Sequence, residues 1–178
     1  MIHPGLECAC EGMLEALARL LAEQKEWERE ARAHGEILAR QRLSELPASV
    51  QALEERLERI VAAEERRLEL MSELSGLLGH PVWEAPLPLL ALASLLPDPW
   101  ALKLKVCRVE LAEQARRNGE LARRNQGLAE TGQRVAAGVV RTISELSVRR
   151  ARSPEAYSRT GAARKAVAVP VFQRAWRA

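Results

Sequence analysis

Apolar residues recur along most of this chain at steps of three, four and seven, the spacing that gathers side chains on one face of an α-helix. Over about residues 6–43 the recurring positions are Leu14, Leu17, Leu21, Ala31 and Leu38, and they predict one long amphipathic helix. Gln24, Lys25, Glu26, Glu28, Arg29 and Glu30 form a polar belt beside Trp27, so the core is expected to weaken at mid-helix. A second helix is predicted over 44–78, from Val50, Leu53, Leu57, Ile60 or Val61, Leu68, Met71, Leu74 and Leu78. Ser44 is placed to cap it, and Pro47 falls in the first turn, where amides have no intrahelical acceptor. The same stripe suits a single helix kinked at Pro47, and both arrangements stay open at this stage. Gly79 and Pro81 end the helix.

The stretch 80–98 is rich in proline and reads as a connector over one end of the bundle, with a short helix inside the apolar run Leu89–Leu96. Asp98-Pro99 then signals a helix start, a capping Asp followed by Pro at the first helical position. The third long helix is predicted over 99–149. It carries the clearest heptad in the chain, with Leu104, Leu111, Asn118, Asn125, Gly132, Val139 and Leu146 seven apart. A second column contains Leu121, Leu128 and Val135, and Ala115, Ala122, Ala129, Ala136 and Ile143 stand on the neighbouring row. Such a seam is narrow and admits a close partner. At 1.5 Å per residue the helix spans roughly 70 Å, more than the shorter helices can cover. Asn118 and Asn125 occupy core positions, where an amide costs stability unless it selects register or meets a partner. They can pair across the bundle or with water, or belong to a seam left partly open for another chain.

These patterns predict an all-α protein: an elongated bundle of three long helices, an antiparallel coiled-coil-like hairpin with a short connector helix and a loosely held C-terminal tail. The helical domain is expected over 1–152 and the tail over 153–178. Composition agrees, with 47% apolar but only 3% aromatic residues in 178, the profile of long helices rather than compact globules. The net charge of +3 is small but unevenly spread. From Arg149 onward eight basic residues face one acid, Glu155, whereas Ser44–Gly79 carries eight Glu and four Arg. The beginning of the sequence shows no secretory pattern, and the most apolar run, Pro86–Leu96, is about half of the roughly 20 residues that cross a bilayer. A cytoplasmic protein is expected.

Chemistry finds little to work with. No nucleophile elbow, phosphate-binding glycine loop, HExxH or CxxC is present, so no enzyme activity, cofactor or small-molecule substrate is expected. Cys8, Cys10 and Cys107 match neither a disulfide framework nor a zinc site, and no metal is expected. His34 and His80 read as solvated or capping residues. The basic tail can touch phosphate, but it has few aromatics and no recognisable nucleic-acid fold, so nucleic acid is not the expected partner.

Three stretches stand out: the run from Leu57 through Glu64-x-x-Arg67 to Leu74–Gly79, the segment Glu120-Leu121-Ala122-Arg123-Arg124-Asn125-Gln126-Gly127-Leu128, and Tyr157-Ser158-Arg159-Thr160-Gly161. With the order of the helices, they make the chain resemble the FlgN-type flagellar export chaperones. The resemblance covers nearly the whole chain and implies a cytoplasmic chaperone. Such a chaperone binds the C-terminal segments of hook-associated proteins, prevents their early assembly and presents them at the membrane export gate, without nucleotide or metal. An amphipathic client helix can lie between long helices on apolar anchors at helical spacing. The residues expected to form that groove are Leu121, Asn125, Leu128, Gly132, Val135 and Val139, with Tyr157 and Gly161 near its end. Two other readings rank behind it. One is a structural coiled coil that self-associates through the same seam as a homodimer, and the other is a helical protein that uses its basic tail on nucleic acid.

Overall fold

The computed structural model describes residues 4–80 and 87–152. Among them are four α-helices and no strand: α1 (Pro4–Ala39), α2 (Leu46–Leu77), α3 (Leu89–Leu95) and α4 (Trp100–Arg152). The all-helical expectation holds, and long helices pack against one another. The chain divides into two compact units, the first ending at Gly132 and the second beginning at Gln133. The division therefore falls inside α4 rather than at the expected residue 152, and every residue from Glu130 to Val148 is exposed. The tail 153–178 lies outside the described residues.

In the first unit, α1 and α2 run antiparallel. Gly12 lies against Leu70, Arg56 bonds Glu23 and Glu30, and His34 bonds Ser49. α4 runs parallel to α1, because Asn118 reaches the Gln24 carbonyl and Asn125 the Ala31 carbonyl, both 94 residues back. One end of this up-down-up arrangement is closed by apolar side chains. Ala9, Cys10, Met13 and Leu17 of α1 meet Leu70, Met71 and Leu74 of α2, Leu92 and Ala93 of α3, and then Leu96, Trp100 and Leu104. Met13, Leu74, Leu92 and Leu104 are fully enclosed, and each such side chain contributes about 1.5–3 kcal/mol of burial.

The boundaries have local causes. α1 stops at Ala39 instead of continuing to 43 because Gln41 takes a left-handed backbone (φ 54). The Gln41 N–H then bonds the Leu38 carbonyl and the Arg42 N–H the Ile37 carbonyl (3.2 and 3.0 Å), the paired closure of a Schellman end. Pro47 breaks the first helical region rather than kinking it. A 3-10 turn, Leu43–Glu45, separates α1 from α2, and Pro47 sits in the first turn of α2. Ser44 is not the cap. Glu45 takes that position without a side-chain capping bond, and both of its carboxylate oxygens accept from one terminal nitrogen of the Arg42 guanidinium (3.1 and 2.9 Å). At the other end of α2, Gly79 (φ 79) and His80 close a second Schellman end on Gly76 and Ser75, as Gly79 in the sequence indicates.

The connector re-enters at Leu87, whose N–H donates to the Ser75 hydroxyl (3.1 Å) while that hydroxyl donates to the Met71 carbonyl (2.7 Å). The short helix expected within 89–96 is α3. The Asp98–Pro99 peptide is cis, and α4 opens at Trp100, whose N–H bonds the Pro97 carbonyl (3.1 Å). Pro99 therefore precedes the helix rather than occupying its first position.

Candidate partner-binding faces

Past the apolar end, the interior of the first unit turns polar. Gln114 of α4 is fully buried yet satisfied on both sides. Its amide nitrogen donates to Glu28 (2.6 Å) and to Asn118 (3.0 Å), and its oxygen accepts from Arg117 (2.8 Å). Arg32 and Gln114 both donate to Glu28, which with the nearby Arg117 holds its carboxyl below the usual carboxylate range. Asn118 donates to the Gln24 carbonyl (3.1 Å) and Asn125 to the Ala31 carbonyl (2.7 Å). Two amides one heptad apart thus grip two carbonyls one heptad apart, which selects a single parallel register of α4 on α1. Gly35 makes room for the second grip: a Cβ there would stand 2.5 Å from Asn125 Oδ1. That oxygen is buried without a hydrogen-bond partner.

On the α2 side, Arg56 reaches Glu23 at 2.7 Å and Glu30 at 2.9 Å, and all three side chains are less than a quarter exposed. Both carboxylates favour the charged guanidinium. His34 shares a hydrogen bond with Ser49 (2.9 Å), and burial pushes its imidazole below the ordinary value. It is a bridging residue between α1 and α2, not the solvated one expected.

The anticipated site residues are distributed over different settings. Leu121, Asn125 and Leu128 are half-buried in the first unit, where Asn125 is committed to α1, and Gly132 is exposed at that unit's limit. Val135 and Val139 stand exposed in the second unit. Tyr157 and Gly161 lie outside the described residues.

Considered alone, the second unit presents an apolar row. Val135, Val139, Ile143 and Leu146 follow one another at steps of four, four and three, on one helical face, and each is more than half exposed. Only Arg134, Arg141 and Glu145 are charged between 133 and 148. The hydroxyls of Thr142, Ser144 and Ser147 donate back to the carbonyls of Gly138, Val140 and Ile143, so their protons are used within the helix.

A second exposed row was read in the sequence as core. Val50, Leu57, Val61 and Leu68 of α2 are exposed, while the buried side of that helix is Ala63, Leu70, Met71, Leu74 and Ser75. Of the expected stripe, Met71 and Leu74 are buried and Leu53 and Ile60 half-buried, whereas Val50, Leu57, Val61 and Leu68 are exposed; small Ala63 and Ser75 complete the buried face without a signal in the sequence. Gln114 was missed because it is polar, although its place four residues before Asn118 puts both on one face.

Among the described residues no group of three His, Cys, Asp or Glu side chains is placed to hold a metal. Cys8 is exposed, Cys10 buried and Cys107 half-buried, and burial raises the thiols of the latter two. No helix among the described residues is long and apolar enough to cross a membrane. No family model, curated protein or solved structure matches the chain.

Proposed function

We propose that this protein is a flagellar export chaperone of FlgN type, acting in the cytoplasm and holding the C-terminal segments of hook-associated proteins until they reach the export gate. The observation that carries the reading is the exposed row Val135, Val139, Ile143 and Leu146. A soluble helix with so few charges beside four apolar anchors is suited to receive an amphipathic helix. The motif resemblance around Asn125 supports the same assignment.

The test is calorimetric titration of the full chain with C-terminal segments of the hook-associated proteins of the same organism. One-to-one binding at about micromolar Kd or tighter is expected. It should disappear in Val139→Asp/Ile143→Asp while circular dichroism stays unchanged, because both side chains are exposed in the free protein. No binding by any such segment, together with a stable homodimer in light scattering that the double variant dissolves, would replace the chaperone with a self-associating coiled coil.

A further inference from the structure

The row on α2 is independent of the one on α4. Val50, Leu57, Val61 and Leu68 lie at steps of seven, four and seven, so a single line of side chains runs along five turns of α2. Their exposure ranges from 41 to 55%. The next position on that line, seven residues after Leu68, is Ser75, and it is buried. There the chain covers the face itself: Leu87 bonds the Ser75 hydroxyl, and Leu92 and Ala93 of α3 pack with Met71 and Leu74. The uncovered row therefore continues an interface that the protein already fills with a short apolar helix.

Charge identifies the occupant. Glu54, Glu58 and Glu65 run beside the row on one flank by their helical spacing, all exposed. None of the three makes an ion pair with a described residue. The basic residues of α2 do not balance them. Arg56 is turned to Glu23 and Glu30 of α1, Arg67 is paired with Glu64, Arg66 is paired with Glu69, and Arg59 lies on the opposite side of the helix. A second copy of the chain docking through its own α2 face would bring the same unbalanced acids to the contact, where like charges repel. We propose that this face of α2 docks a basic amphipathic helix of another protein, with its apolar anchors on Val50, Leu57, Val61 and Leu68 and its Lys or Arg side chains on Glu54, Glu58 and Glu65.

The probes are two designed helical peptides of about 20 residues, with identical Leu spacing of seven, four and seven. One carries Lys and the other Glu on the flanking positions. Fluorescence anisotropy with the full chain should show the Lys peptide binding at least about tenfold more tightly than the Glu peptide at low salt. The variant Glu54→Lys/Glu58→Lys/Glu65→Lys should invert that preference. Leu57→Asp/Val61→Asp should abolish binding of the Lys peptide while circular dichroism is retained, and Val139→Asp/Ile143→Asp should leave it unchanged. Equal binding of both peptides, no binding of the Lys peptide at about 100 µM, or equal loss in the α4 variant would overturn the proposal. So would a homodimer in sedimentation that Leu57→Asp/Val61→Asp dissociates. The last pair of α4 substitutions separates this outcome from failure of the chaperone reading, which rests on those residues.

Discussion

The first unit has two interiors. Around Met13, Leu74, Leu92 and Leu104 four helices contribute large apolar side chains that exclude water on every side. About two to five turns beyond Leu17 along α1, the same helix faces Gln114, Asn118 and Asn125 on one side and Arg56 and Ser49 on the other, through directed bonds. Apolar contact rewards burial but tolerates many registers, whereas an amide seated on one carbonyl accepts only one. The apolar end thus supplies most of the stability, and the polar middle decides which residue of α4 lies beside which residue of α1.

The strongest challenge to this division is a cavity at the apolar end. Leu74→Ala should cost about 3 kcal/mol, read from urea unfolding of the full chain. A loss well below that would mean the end is loosely packed and stability is spread more evenly. A finer test uses the seat of Asn125. In the native chain Gly35→Ala sets a methyl group against Asn125 Oδ1, so the helix-propensity gain should vanish. In the Asn125→Ala background the same substitution should stabilise by about 1 kcal/mol. Additivity in that double-mutant cycle would show that the amide is not held in its slot.

The smallest effect is a pH dependence confined to the polar region. The folded imidazole of His34 lies below its ordinary value because of burial. The unfolded chain therefore takes up the proton first, and the stability His34 contributes is lost as the pH falls below about 6.5. The urea midpoint should decline between about pH 7.5 and about pH 5.5 more in the native chain than in His34→Gln. Equal slopes would assign the acid sensitivity elsewhere.

Where the chain marks its own turns with special residues, its structure could be read directly. Gly79 supplies the left-handed position that ends α2, and Pro47 opens that helix. The end of α1 carries no such mark, since Gln41 adopts a backbone usually left to glycine. Heptad spacing picked out Asn118 and Asn125 as interior amides, but their acceptors are backbone carbonyls of α1, which look alike in any sequence. At α2 the spacing placed Met71 and Leu74 in the core, but side-chain size misled for Val50, Leu57, Val61 and Leu68, which are exposed, while part of the buried face is Ala63 and Ser75. The six expected groove residues from Leu121 to Val139 share a helical period, and period does not distinguish Asn125, committed to Ala31, from Val139, exposed in the other unit.

Trp100 is buried in the apolar end, with the Lys103 ammonium 5.1 Å from the centre of its ring. Trp27 is half-buried in the polar middle, its indole N–H enclosed, between Gln24 and Glu28, which meet α4, and Glu23 and Glu30, which meet Arg56. The chain thus carries one natural fluorophore in each of its two interiors. With Trp83 and Trp176 changed to Phe, emission from Trp27 would follow α1 parting from its neighbours. Emission from Trp100 would follow the melting of the apolar end, so the order in which the two interiors open could be watched in a single cuvette.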